Sequence, residues 1–300
     1  MRNSVLSILA GAPAAVATDL ARDLLALSLP AAASPSEGQV AAVAVERFTV
    51  QRGLAVLPVR GILTPNSAVL ERWMGWSTYF GLIEALAELT ERADVAAIAL
   101  PIDSPGGLVI GCEGAAAAVA AAAQIKPVHA IASPMAASAA YWIGSQATTL
   151  SLTPGGVVGS IGVAVQASSV VGPDQSGEQR YPLTSTHARA KWPDPGTEEG
   201  RAELQRSLDA SEAAFHAAVA AGRKIAPADL AAKLSVTDDP RDGGAVFTGK
   251  DAIARGLADS EESLSAFYAR MAKAYGGAVR PAASAAWRAR AAAAAALARS

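Results

Sequence analysis

The sequence predicts an α/β fold around a parallel sheet, and three observations carry that reading. Two apolar runs, residues 95–100 and 128–132, each end in a turn of small residues, and a helical pattern follows each turn. This is the βαβα rhythm of a parallel sheet, whose functional groups sit in loops beyond the carboxyl ends of the strands. Hydrophobic residues make up 51% of the 300 and charged residues 17%, enough to build a sizeable core. No stretch reaches the ~20 clean apolar residues of a membrane span.

Composition also narrows the function. The net charge is −2 and there is no basic block, which argues against nucleic acid as the main partner. Cys112 is the single cysteine, so no disulfide framework or cysteine zinc site is expected, and a reducing cytoplasm suits the chain. His129, His187 and His216 show no ligand spacing, so no metal is expected.

Taken in order, residues 1–45 read as a helical lead-in with a Pro/Ser/Gly linker at 30–38. The apolar run 5–17 follows Arg2 and ends Ala15-Val16-Ala17, as a secretory signal does. Gly11 and Pro13 interrupt it and an amphipathic helix continues it, so an ordinary N-terminal segment is the preferred reading. Strands are expected at 48–50 and 54–59, broken by Arg52-Gly53. Ser77-Thr78-Tyr79 then opens a helix to about residue 92, with Ile83, Leu86 and Leu89 on one face. The helix at 109–124 is rich in alanine, with high propensity and little bulk. Cys112, near its start, reads as a small buried residue. His129 reads as a strand side chain. A helix from Ser138 to about 145 precedes strands at 148–152 and 161–165. Residues 168–195 are irregular apart from a strand at 181–185. Thr197 caps a long helix to about 223, with Glu198 and Glu199 against its dipole and Leu204, Leu208, Phe215 and Val219 on one face. Helices follow from Pro227 and over 263–275. The tail 282–300 is nearly all alanine with Arg288, Arg290 and Arg299, too little bulk for a core. This divides the chain into a lead-in (1–45), a central domain (46–262) and a helical C-terminal extension (263–300).

The chemistry concentrates in residues 100–163. Gly106-Gly107 leaves backbone N–H groups uncovered, and such groups stabilise an anionic intermediate. Ser138 lies between Ala137 and Ala139 at a helix start, where nothing bulky covers its hydroxyl. A hydroxyl nucleophile requires a base.

Asp103-Ser104-Pro105-Gly106-Gly107, Ala137-Ser138-Ala139-Ala140-Tyr141-Trp142 and Gly159-Ser160-Ile161-Gly162-Val163 occur in this order. Together they resemble the signal peptide peptidase A family of serine peptidases, most closely its branch of phage and prophage head maturation proteases. The resemblance covers residues 54–259 and implies the α/β/α spiral of the Clp protease subunit and the crotonases. It implies Ser138 as nucleophile and Lys191, 53 residues later, as base. Arg189 cannot serve, since guanidinium does not deprotonate in proteins; His187 is the competing base. The resemblance also implies oxyanion donors at the backbone of Gly107 and Ala139, and substrate contacts at Gly106 and Ser160. Ser104 and Ser133 read as turn serines.

No cofactor is implied. Capsid or scaffold proteins are the expected substrates, in a host cytoplasm or procapsid, and the chain is expected to form a homo-oligomer. Bacterial cell-envelope members carry a membrane anchor, and the lack of an apolar span favours the phage branch over a signal-peptide-degrading role. A crotonase-type acyl-CoA enzyme would leave Ser138 and Lys191 idle. A non-catalytic capsid-assembly protein would have no use for both.

Overall fold

The computed structural model describes residues 4–5, 12–28 and 46–277. The linker at 30–38, the tail at 282–300 and part of the apolar run 5–17 lie outside the described residues. The architecture is the expected α/β one, with a mainly parallel sheet. Its strands are β1 (Ala14–Val16), β2 (Thr49–Gln51), β3 (Leu54–Val56), β4 (Val59–Leu63), β5 (Ala97–Leu108), β6 (Val128–Ala137), β7 (Thr149–Leu152), β8 (Val157–Gly159), β9 (Val246–Thr248) and β10 (Ser260–Glu261). The helices are α1 (Thr18–Ala26), α2 (Ala68–Met74), α3 (Tyr79–Glu91), α4 (Cys112–Ile125), α5 (Ala139–Gly144), α6 (Glu198–Arg223), α7 (Pro227–Leu234), α8 (Gly249–Ala254) and α9 (Leu264–Tyr275).

Two long strands organise the molecule. The first half of β5 pairs in parallel with β3, and its second half pairs with β4. In the same way β6 pairs first with β7 and then with β8. Both strands run well past the apolar stretches that announce them. Pro101, Asp103 and the glycines have low strand propensity, yet each has a ladder partner: Ile131 of β6 for Pro101, and Arg60, Ile62 and Leu63 of β4 for Asp103, Gly106 and Gly107. Ile102 and the run from Val128 to Ala132 are buried, as strands covered on both faces require.

Three expected strands are corrected. The one at 54–59 is split at Leu57-Pro58 into β3 and β4, because proline has no N–H to give a ladder. In place of 161–165 the strand is β8, which pairs with Met135, Ala136 and Ala137 of β6 and with β9. Ser160, at φ 52°, then turns the chain out of that ladder, and only Ala164 of the following residues bridges, to Ala14. Residues 181–185 form no strand: Tyr181 and Leu183 are 70% and 88% exposed and no ladder reaches them.

Helix packing follows side-chain size. Ala115, Ala116, Val119 and Ala122 of α4 are buried, so this slender helix lies close against its neighbours. Trp142 of α5 stacks on Phe215 of α6 with ring centroids 4.4 Å apart, and Val219 of α6 is buried. Leu204 and Leu208, expected on the same stripe, are only half-buried because the helix extends beyond the core there. The Tyr141 hydroxyl donates to the Leu257 carbonyl at 2.9 Å. The Asp259 carboxylate accepts from the Leu150 N–H and from Arg223, both at 2.6 Å. The segment 256–259 thereby ties α5, α6 and β7 together.

Helix α9, which the sequence places in the C-terminal extension, packs on the sheet. Phe267 and Met271 are buried against Leu54, Ala97, Ala99 and Ile131. They lie four residues apart and therefore on one helix face. Phe267→Ala is expected to destabilise the fold by about 3–5 kcal/mol, the range for an emptied aromatic core position. Denaturant unfolding measures this, and a loss below ~1 kcal/mol would show that α9 contributes little to the domain.

Candidate active site

The site is built where β5 and β6 end side by side. Ser104 shapes the first wall. Its buried hydroxyl donates to the Gly61 carbonyl at 2.6 Å and accepts the Gly106 N–H at 3.1 Å, so Ser104 is bonded to backbone as expected, but it lies within β5 and not in a turn, because Ala136 of β6 pairs with it. Gly106 follows at φ 106°, a conformation that side chains disfavour. A Cβ on Gly107 would sit 1.9 Å from the Leu63 carbonyl oxygen of β4. The Tyr79 hydroxyl donates to the Leu108 carbonyl at 2.5 Å and pins the far end of this wall. That is the work of the Tyr in Ser77-Thr78-Tyr79. Cys112 is buried, with its thiol 3.6 Å from the Ala139 carbonyl, and burial pushes its pKa up; it is a packing residue.

The second wall carries Ser138, which stands between β6 and α5 at φ 54°, ψ −123°. A non-glycine residue held there is strained, and such sharp strand-to-helix elbows present nucleophiles. Two bonds hold the elbow. The Ser138 N–H donates to the Gly159 carbonyl at 2.7 Å, and the Trp142 N–H donates to the Ser138 carbonyl at 2.9 Å. Alanine neighbours permit the close packing, and Ser138 is only 1% exposed. No hydrogen bond of its hydroxyl to another described group is found.

The two walls meet at Gly106. A methyl group placed on it would meet the Ser138 Cβ at 2.9 Å and the Ala139 nitrogen at 3.0 Å. Gly106, Ser138 and the Ala139 amide thus border one small space, and Gly107 is the next residue on the same strand. Ser160 follows Gly159, whose carbonyl holds Ser138; its own N–H donates to the Ala245 carbonyl at 2.7 Å. Gly107→Ala is expected to push the β5 turn off Leu63 and to lower any turnover at Ser138 by about 100-fold or more, on the scale of losing one oxyanion donor. Kinetics alongside circular dichroism test this, and unchanged turnover would remove Gly107 from the site.

Lys191 is not brought to Ser138 in the single chain. It ends a 3-10 turn, Arg189–Lys191, within the long exposed segment after β8, and its side chain is exposed. No partner of its Nζ is found among the described residues. His187 is exposed on the same segment. His129 lies toward the opposite end of β6. Its ring nitrogens meet Thr149 Oγ1 and Tyr275 Oη at 2.8 Å each, and burial, with Arg270 nearby, lowers its pKa. It is the strand side chain expected. Among the described residues no group of His, Cys, Asp and Glu could hold a metal ion.

Sequence reasoning missed β1. Residues 14–16, read as part of a helical lead-in, form a strand antiparallel to Gly106-Gly107-Leu108. The signal was there in Pro13, which disfavours a helix interior.

A serine on a strained elbow, flanked by a helix-start amide and a glycine-bearing strand within an α/β domain, is an arrangement that acyl transfer requires. The chain belongs to peptidase family S49, whose family model matches residues 120–277. It is 30% identical over 217 residues to the capsid assembly protease C of Escherichia phage lambda, covering 71% of this chain and 47% of that protein. It is 35% identical over 174 residues to Protease 4 of Salmonella typhi, covering 55% and 26%. The chain therefore spans less than half the length of either curated relative. Among solved structures, an enoyl-CoA hydratase/isomerase family protein from Silicibacter pomeroyi is similar at a TM-score of 0.43 and 14% identity, covering 79% of this chain and 83% of that one.

Proposed function

We propose that this protein is a serine endopeptidase with a Ser138–Lys191 dyad that cleaves capsid or scaffold proteins during phage head maturation. The strained Ser138 elbow facing the Gly106 turn is the observation that carries the reading. In the mechanism, neutral Lys191 takes the hydroxyl proton as Ser138 Oγ attacks the scissile carbonyl carbon. The Gly107 and Ala139 amides hold the oxyanion, and Gly106 and Ser160 border the substrate. The proton passes to the leaving amine, an acyl-enzyme forms, and a water activated by Lys191 releases the second product.

Lys191 must move to do this. The segment that carries it exposes Val171, Tyr181, Leu183 and Trp192. Burying these apolar groups in a homo-oligomer would favour a fixed, desolvated Lys191 beside Ser138. Similarity to capsid assembly protease C supports the phage head role, under which the protein would act in a procapsid in the host cytoplasm. Similarity to Protease 4 supports, as a second reading, a bacterial peptidase that degrades signal peptides. No helix among the described residues is long and apolar enough to cross a membrane.

A fluorophosphonate probe tests the nucleophile. Labelling is expected at Ser138 alone, mapped by peptide mass spectrometry, and absent from Ser138→Ala. Equal labelling of both proteins, or of neither after long incubation, would overturn the assignment. Cleavage of a capsid or scaffold protein but not of a signal peptide separates the phage role from the second reading.

A further inference from the structure

The strand β1 lies against the proposed nucleophile and has no role in the mechanism above. It is held on both sides. On one side Ala14, Ala15 and Val16 pair antiparallel with Leu108, Gly107 and Gly106, extended by Ala17 N–H to the Pro105 carbonyl at 2.8 Å and Val109 N–H to the Pro13 carbonyl at 3.2 Å. On the other side Ala14 and Ala164 exchange both backbone hydrogen bonds at 3.0 Å. The strand thus fills a slot between the Gly106–Leu108 edge and the loop after Ser160. An extended peptide added to such edges gains main-chain hydrogen bonds regardless of its sequence, and alternate side chains set the specificity.

The space at Gly106 shows what the slot holds. The point that lies 2.9 Å from the Ser138 Cβ and 3.0 Å from the Ala139 nitrogen lies 2.1 Å from the Ala15 carbonyl oxygen. A peptide carbonyl therefore borders both the nucleophile and an oxyanion donor. Ala15 and Ala17 are buried and Ala14 and Val16 half-buried, so the inward positions hold side chains no larger than methyl. Residues 13–17 have the form of a substrate: extended, antiparallel to the glycine strand, with alanine at alternate positions and the Ala15–Val16 bond beside Ser138.

We propose that residues 13–17 are a built-in occupant of the substrate groove, and that substrates bind by displacing this strand with an extended segment bearing alanine-sized residues at the two inward positions. This rests on the peptidase reading in assigning the groove to substrates. A tethered strand competes at an effective concentration in the millimolar range, so it holds the enzyme closed until a substrate or assembly removes it.

The test uses binding, which does not depend on turnover. Ala14 and Ala164 form a hydrogen-bonded antiparallel pair, whose Cα separation of about 5.5 Å lies within disulfide reach. In full-length Ser138→Ala protein, Ala14→Cys with Ala164→Cys locks the strand when oxidised and releases it when reduced; buried Cys112 does not compete. The probe is a fluorescent peptide of the sequence Pro-Ala-Ala-Val-Ala, followed by anisotropy. Ala15→Arg, too large for the slot, expels the strand by a second route, with thermal unfolding as the check on folding. Binding is expected to be lost in the oxidised protein, restored by reduction, and at least about tenfold tighter in Ala15→Arg than in the reduced protein. Equal binding in the oxidised and reduced forms, or no binding in any form, would show that β1 is a structural strand of the sheet. Probe labelling of Ser138, measured separately, reports on the peptidase reading alone: labelling equal in the locked and unlocked proteins overturns the displacement and leaves the nucleophile standing, whereas no labelling in either overturns the nucleophile.

Discussion

Ser138→Ala is expected to lower kcat for peptide hydrolysis by about 10⁴-fold or more, since removing a nucleophile costs about as much as removing the whole catalytic unit. One oxygen is lost at a position already surrounded by alanine, and the two backbone bonds that hold the elbow use no side-chain atom. The melting temperature is therefore expected to stay within about 2 °C of the parent, which corresponds to a surface-sized change in stability. The measurement is turnover of a denatured protein substrate together with a thermal melt. Substantial residual turnover in a folded variant would place the nucleophile elsewhere. Ser104 is a poor replacement, because its hydroxyl is committed to Gly61 and Gly106.

Lys191→Arg is expected to be as inactive as Lys191→Ala, with turnover down by about 10³-fold, the middle of the range for general-base catalysis. Arginine keeps the charge and the length but does not give up its proton at any pH a protein survives, so it cannot receive one from Ser138. The position makes this a clean comparison. Lys191 is exposed in the single chain, so neither change should disturb folding. His187→Ala, four residues earlier on the same exposed segment, should keep most of the activity. If Lys191→Arg turns over and His187→Ala does not, the dyad is Ser–His and the base is an imidazole.

Short-range patterning carried much of the fold into view. Helix α3 was legible from the spacing of its apolar residues, and α6 from Thr197 and the two glutamates behind it. The βαβα rhythm around residues 95–145 located β5, α4, β6 and α5. The place of Ser138 was legible too: between two alanines after an apolar strand, it was expected at a helix start, and it stands at the N-cap of α5. These features depend on residues within a turn or two of one another, and sequence records such relations directly.

Ladders and docking depend on residues far apart in the chain. Pro101 and Gly106 belong to a strand only because β6 and β4 supply their partners, Ile131 and Ile62. Residues 161–165 have strand composition, but β8 takes the place beside β6, and Ser160 turns the chain away. Helix α9 was evident as a helix, yet only Leu54, Ala97, Ala99 and Ile131, more than a hundred residues earlier, show where its Phe267 and Met271 belong. The alanines of β1 are indifferent to helix or strand on their own; the unpaired edge at Gly106–Leu108 makes them a strand and sets the Ala15 carbonyl beside Ser138. Local composition limits which conformations a segment can take, and a distant partner that satisfies its backbone hydrogen bonds chooses among them.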